Sequence, residues 1–438
     1  MKFSLTFFNN IKKINLTGYN LFYLYLLFVF IILIINFIFS YLYTVKFPNI
    51  VGDNNQFILE NVGFNFGQIM KNLELGNGLK ATYFGIDYYV SRMPLLPLVL
   101  HFLYNYVSEN FYVILFVKNI FFFSIIFFIL VNLTIKNKFL FLLISLMIFL
   151  YNPHNLITTL SINFEEGILN YLIIILFLLF YSEFKYRNIY IGLIIASIFF
   201  LKSSMIFLCT GLSIFFLIND HKKRIFNYFP IMIFLISSLS WGIYSYQKTK
   251  VFAYGTNLVS YNSFTLNHAY NEKFNSIYPE ISPDTLTKEI ENKLPKNIFK
   301  DEWEINDYYF KDSINYLKLN PYEVFLSVLK KIQVIFIYLN KDSQFLDQNN
   351  QLINELRISN IPNKILFITF TFLIIKNFIY QRSSKNIFMI LLVLLYFFPY
   401  MVGFIYTRHC TSLYMIASFY LFYEYIYIKK KLDFFKKK

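Results

Sequence analysis

The sequence predicts an all-α polytopic membrane protein with about ten transmembrane helices, interfacial helices and a small external helical subdomain. Composition is the first ground. Of 438 residues, 57% are hydrophobic and only 15% charged, against about 25% charged in a soluble globular domain. The second is a series of apolar runs that approach or pass the roughly 18–20 residues needed to cross a bilayer. The third is the placing of basic clusters between those runs. A net charge of +15 in such a chain points to cytoplasmic anchoring and not to nucleic acid as a partner. Cys209 and Cys410 both lie in or beside apolar runs, so neither a disulfide nor a cysteine metal site is expected.

The expected spans are 22–44, 111–133, 139–151, 167–182, 189–201, 204–218, 227–247, 364–380, 386–405 and 411–428. The first is too long for a cleaved signal peptide and no small-residue cleavage site follows it. Sidedness follows from positive charge. Lys12 and Lys13 place the N-terminus inside. Lys136 with Lys138, Lys185 with Arg187, Lys222 to Arg224, and Arg382 with Lys385 mark inside loops, and Lys429 to Lys431 place the C-terminus inside. These assignments agree only if two further segments stay on the outer side. Segment 94–107, PLLPLVLHFLYNYV, is short and carries two prolines, as a re-entrant or interfacial helix does. Segment 322–339 holds Lys330 and Lys331 at its centre. Charge is costly at the bilayer midplane, so it reads as an amphipathic helix on the outer leaflet.

The chain then divides into three parts. Residues 1–247 form an N-terminal transmembrane module whose first external loop is 45–110. Residues 248–363 form an external subdomain of charged helical stretches broken by Pro283, Pro295 and Pro321, and 364–438 supply the C-terminal helices. No GxxxxGK[ST] loop and no GxGxxG after a strand is present, which disfavours an ATP-driven pump.

Four sets of ionisable residues fall on the external side. Asp53 lies in VGDNNQF just after the first span, with Asp87 and Arg92 further along the same loop. Glu165 and Glu166 open a span in SINFEEGILNYL, Lys202 interrupts IFFLKSSMIFL, and Arg408 and His409 open the last span in YTRHCTSLY. Each has an ordinary structural explanation taken singly: a loop carboxylate, a helix-dipole partner worth about 0.3–1 kcal/mol, a snorkelling lysine, an interface anchor, a packed histidine at 101 or 409. Together they put acidic and basic groups on one face, beside apolar segments where an unpaired charge is expensive. Carboxylates activate a hydroxyl and cations hold a phosphate, a combination that suits a lipid-phosphate substrate.

The order of these features resembles the GT-C superfamily of integral-membrane glycosyltransferases. That superfamily includes protein O-mannosyltransferases, the lipid A aminoarabinose transferase and the oligosaccharyltransferase catalytic subunit. An acidic residue follows the first span, a Pro-containing apolar segment (SRMPLLPLVLHFL) ends the loop, and a carboxylate opens a later span. A GLIIASIFFLK hairpin, a large external loop and an Arg before the last apolar run follow. The likeness covers most of 1–220 and 380–430. It departs where the family has an Asp-Glu pair and this chain has Asp53-Asn54, and where the family has a proline after the terminal arginine.

The resemblance implies the GT-C fold and inverting transfer of a single sugar from a polyprenyl-phosphate donor to an acceptor hydroxyl on a lipid, glycan or protein. The active site would face the periplasmic or external side of a bacterial inner membrane. It implies catalytic roles for Asp53, as general base, and for Glu165 or Glu166. Lys202, Arg408 and Arg92 would bind the donor phosphate, and Asp87, His101 and His409 would contact substrate. No cofactor is required, although Asp53 with Glu165 or Glu166 would suit one Mg or Mn ion. A transporter or flippase, or a polymerase, of lipid-linked saccharides is the alternative.

Overall fold

A computed structural model describes residues 18–46, 66–83, 85–132, 165–182, 184, 186–219, 228–256, 299–336, 361–402 and 407–435. Asp53, the expected span at 139–151, and the greater part of the external subdomain lie outside the described residues. What is described is mostly helical. In chain order the helices are α1 (Gly18–Lys46), α2 (Phe66–Glu74), α3 (Leu95–Tyr106), α4 (Phe111–Asn132), α5 (Glu165–Tyr181), α6 (Arg187–Leu201), α7 (Ile206–Asn219), α8 (Phe229–Thr249), α9 (Glu302–Leu319), α10 (Pro321–Phe336), α11 (Ile361–Tyr380), α12 (Ser384–Val402) and α13 (Thr407–Phe435). Nine of the ten expected spans thus fall on helices. Among the described residues, α4, α8, α11 and α12 are long and apolar enough to cross a membrane. The protein is therefore an all-α membrane protein in architecture.

Local chemistry explains the helix starts. The Asn110 side chain accepts from the amides of Tyr112 and Val113 at 2.9 and 3.3 Å, satisfying two donors that the first turn of α4 leaves open. Pro230 stands in the first turn of α8, where its missing N–H is no loss. Asp301 caps α9 by accepting from Trp303 and Glu304, and Glu304 reaches back to the amide of Lys300.

Helix α5 is the axis of the bundle. Every residue from Glu166 to Phe180 is buried, and α4, α6 and α13 pack around it. A helix apolar on all sides belongs inside such a bundle. Aromatic contacts join the layers: Phe122 stacks on Tyr171 with centroids 4.9 Å apart, and Phe180 on Phe388 at 3.9 Å. Helices α6 and α8 approach closely at Gly192, where a Cβ would come 3.1 Å from Phe229 O and from Pro230 Cα. Small residues allow such contacts between apolar helices.

The segment at 94–107 folds as the twelve-residue α3, about 18 Å long at 1.5 Å per residue and too short for a bilayer core of about 30 Å. On α10, which covers most of the second segment, Lys331 turns toward a neighbouring helix. It is 1% exposed, and its ammonium donates to the Met401 carbonyl at the end of α12 at 3.0 Å. A helix C-terminus leaves such carbonyls free and favours a cation. Lys364 does the same for α10, donating to Ile335 O at 3.1 Å and lying 2.6 Å from the Tyr414 hydroxyl.

One element breaks the all-α pattern. Ala81–Tyr83 (β1) and Ile86–Tyr88 (β2) form an antiparallel hairpin pairing Ala81 with Tyr88. Gly85 turns it with φ +78°, a conformation glycine adopts without strain. Cys209 and Cys410 are both buried thiols.

Candidate functional site

Two helix ends meet first. Helix α5 begins at Glu165, and its free N-terminal amides favour negative charge there. Helix α6 ends at Leu201 with Lys202 as its extended C-cap, where a cation is favoured. The two helices pack side by side, so carboxylates and ammonium face each other. Lys202 Nζ lies 2.7 Å from Glu166 Oε1 and 3.8 Å from Glu165 Oε2.

Two more elements extend the cluster. Arg92, between β2 and α3, brings Nη1 to 3.9 Å from Glu165 Oε1, with its guanidinium 5.3 Å over the Phe66 ring. His409, at the start of α13, places Nε2 3.2 Å from Glu166 Oε1. The result is an alternating row: Arg92, Glu165, Lys202, Glu166, His409. Its side chains are only 2–20% exposed. Burial alone acts to lower the Lys202 pKa. The Glu166 and Glu165 carboxylates act the other way, and the net direction is upward, so Lys202 is a stable cation.

Behind the row lies a shell of tyrosines and amides. Tyr400 stacks on the His409 ring with centroids 4.4 Å apart, and Lys202 Nζ stands 5.4 Å over the Tyr400 ring. The Tyr396 hydroxyl donates to the His409 carbonyl at 2.8 Å and lies 3.1 Å from Ser412 Oγ. Ser412 in turn donates to Asn170 Oδ1. Asn170 follows Glu166 by one turn of α5. Its face is therefore fixed by the same helix that presents the carboxylate.

Of the residues singled out from the sequence, Glu165, Glu166, Lys202, Arg92 and His409 are brought together. Asp87 is engaged elsewhere, 2.7 Å from Lys80 Nζ and accepting from Thr82 Oγ1 at 2.9 Å across the hairpin. His101 Nδ1 lies 3.0 Å from the Asn105 amide one turn along α3. Arg408 opens α13 beside His409, and its side chain, like Asp53, lies outside what is described. Tyr396, Tyr400, Asn170 and Ser412 were not singled out. The i, i+4 spacing of Glu166–Asn170 and of Tyr396–Tyr400 was a readable signal for two shared faces.

Comparison with protein-family models, with curated proteins and with solved structures gives no match for this chain. The site must therefore be read from its own chemistry. Glu165 and Glu166 face cationic partners, and Asp53, which the sequence pairs with them for a Mg or Mn ion, lies outside the described residues. No group of three His, Cys, Asp or Glu side chains converges among the described residues. The row offers carboxylate acceptors for hydroxyls next to cationic donors for a phosphate, at one end of an apolar bundle.

Proposed function

We propose that this chain is an inverting glycosyltransferase of the GT-C type. It would move one sugar from a polyprenyl-phosphate donor to an acceptor hydroxyl on the external side of the membrane. One observation carries the reading: the buried row Arg92–Glu165–Lys202–Glu166–His409 at the end of a membrane helix bundle. A lipid donor places its phosphate at that depth and its sugar just beyond.

In the proposed reaction Asp53 takes the proton of the acceptor hydroxyl. The acceptor oxygen attacks the anomeric carbon on the face opposite the phosphate. The bond from that carbon to the phosphate oxygen breaks with its electron pair, and polyprenyl phosphate leaves. Lys202, Arg92 and Arg408 stabilise the charge on the leaving group, the usual largest contribution of such a site. Glu165 or Glu166 accepts hydrogen bonds from sugar or acceptor hydroxyls. No step requires a metal.

A second reading has one observation in its favour. Lys118 and Asn119 are buried within α4, a candidate span, and ionisable groups inside spans mark transport paths. Single-turnover transfer from radiolabelled polyprenyl-phosphate sugars separates the two. Wild type should form product, and Asp53→Asn should be slower by roughly 10²–10⁴-fold. No product from wild type across a broad donor panel sinks the transferase reading in favour of a transporter of lipid-linked saccharides.

A further inference from the structure

One buried carboxylate stands outside the row. Glu302 is 2% exposed, although it opens α9, a helix of the external segment. Its two oxygens accept from the backbone amides of Tyr89 at 3.2 Å and Val90 at 3.3 Å. A carboxylate out of water is costly unless its oxygens are bonded, and charge-assisted bonds of this kind are among the stronger ones. The helix is seated around it. Ile305 and Tyr309 pack on Tyr88 of the hairpin, Trp303 packs against the main core, and Lys248 Nζ lies 5.9 Å over the Tyr89 ring.

Tyr89 and Val90 are the residues that lead into Arg92. The two amides held by Glu302 are thus three and two residues before a guanidinium that stands 3.9 Å from Glu165. That contact is the longest in the row, and Arg92 is its most exposed member at 20%. No other cation of the row is carried on a loop between short elements. Its place depends on what holds the loop.

We infer that Glu302 is a positioning residue for Arg92: it clamps the 89–92 backbone and so sets the reach of the guanidinium into the charged row. Through it the external segment is coupled to the site. The inference rests on the proposed function only for its kinetic consequence, since the clamp itself is a matter of geometry.

The experiment uses the full-length protein in detergent with phenylglyoxal as the probe. The labelling rates of Arg92 and Arg187 are read by peptide mass spectrometry in wild type, Glu302→Ala, Glu302→Gln and Asp307→Asn. Arg187 bonds the Phe180 and Ser182 carbonyls where α5 ends and α6 begins, and it reports global loosening. Glu302→Ala should raise Arg92 labelling at least fivefold with Arg187 unchanged. Glu302→Gln keeps one acceptor oxygen for two amides and should fall between, and Asp307→Asn, exposed on the same helix, should match wild type. In transfer assays Glu302→Ala should raise the donor KM about tenfold with kcat within twofold. Equal Arg92 labelling in wild type and Glu302→Ala, or an equal rise at Arg187, overturns the clamp. If Glu302→Ala does not fold, Glu302→Gln decides alone: faster labelling than wild type supports the clamp and an equal rate overturns it. Absence of transfer in wild type would remove the glycosyltransferase reading and leave the labelling result standing.

Discussion

Lys202 closes one helix where Glu166 opens its neighbour, and their charged atoms stand 2.7 Å apart. The pair joins α5 and α6 at the same end at which Arg92 and His409 enter. Removing one partner leaves the other charge buried. Lys202→Ala should destabilise the protein by about 3 kcal/mol, within the range for breaking a buried pair, and Glu166→Gln by a similar amount. The double variant should recover part of the loss. A thermal or denaturant double-mutant cycle with coupling under about 0.5 kcal/mol would make the pair incidental.

His409 and Arg92 hold opposite ends of the row and should fail differently. Arg92→Ala removes the cation at the more exposed end of the row, 3.9 Å from Glu165 and over the Phe66 ring, so stability should fall less than in Lys202→Ala while donor affinity falls. Arg92→Lys should rescue in part, since an ammonium lacks the planar fork. His409→Ala removes the ring stacked on Tyr400 and should lower stability as well as rate. Equilibrium binding of a lipid phosphate, with thermal midpoints for both variants, separates the two outcomes.

The hairpin pair gives a pH dependence whose sign is fixed. The hydrogen bond from Lys80 holds the Asp87 carboxyl below its ordinary value, and the same bond raises Lys80. Asp87 therefore contributes stability above the unfolded carboxyl pKa, near 3.9, and loses it as pH falls through the folded value. Lys80 contributes below its unfolded pKa and loses that stability only as pH rises through its raised folded value. Limited proteolysis of the 78–92 region should find Asp87→Asn more susceptible than wild type at neutral pH. The difference should vanish in strong acid and shrink in high salt, because the pair is solvent-exposed. A difference that persists unchanged at low pH would assign the effect to something other than the ion pair.

Two glycines at helix contacts should behave unequally. A Cβ at Gly192 meets backbone atoms of Phe229 and Pro230 at 3.1 Å, whereas at Gly211 it meets only the Leu395 side chain. Gly192→Ala should therefore cost about 1–3 kcal/mol by forcing α6 from α8. Gly211→Ala should cost less, since a leucine methyl can turn away. Equal thermal midpoints for the two variants would contradict the close approach of α6 and α8.

The sequence and the structure agree where charge sits against apolar runs. Glu165, Glu166 and Lys202 were legible because a charged residue at the edge of such a run has few places to go. What would face them was less so. Tyr400 carries the His409 ring, yet with 37 tyrosines in the chain no single tyrosine stands out. Lys331 served in the sequence only as a charge too costly for the bilayer midplane. Its partner is a backbone carbonyl, which no side-chain pattern announces. The hairpin was missed although ATYFGIDY has aromatic and β-branched residues on both sides of a glycine, Gly85, that takes φ +78°. Glu302 was one acid among many in a charged stretch. Only its burial against Tyr89 and Val90 sets it apart.

The row is also a record of the order in which the chain is made. Arg92 leaves the ribosome first, then Glu165 and Glu166, then Lys202, 36 residues after Glu166. Both carboxylates and the cations that face them, Arg92 and Lys202, are thus made before the histidine. His409 belongs to α13. At roughly 5–20 residues per second it follows Glu166 by roughly ten to fifty seconds. The histidine end of the row therefore depends on α13 reaching α5 well after Arg92, Glu165, Glu166 and Lys202 have all been synthesised.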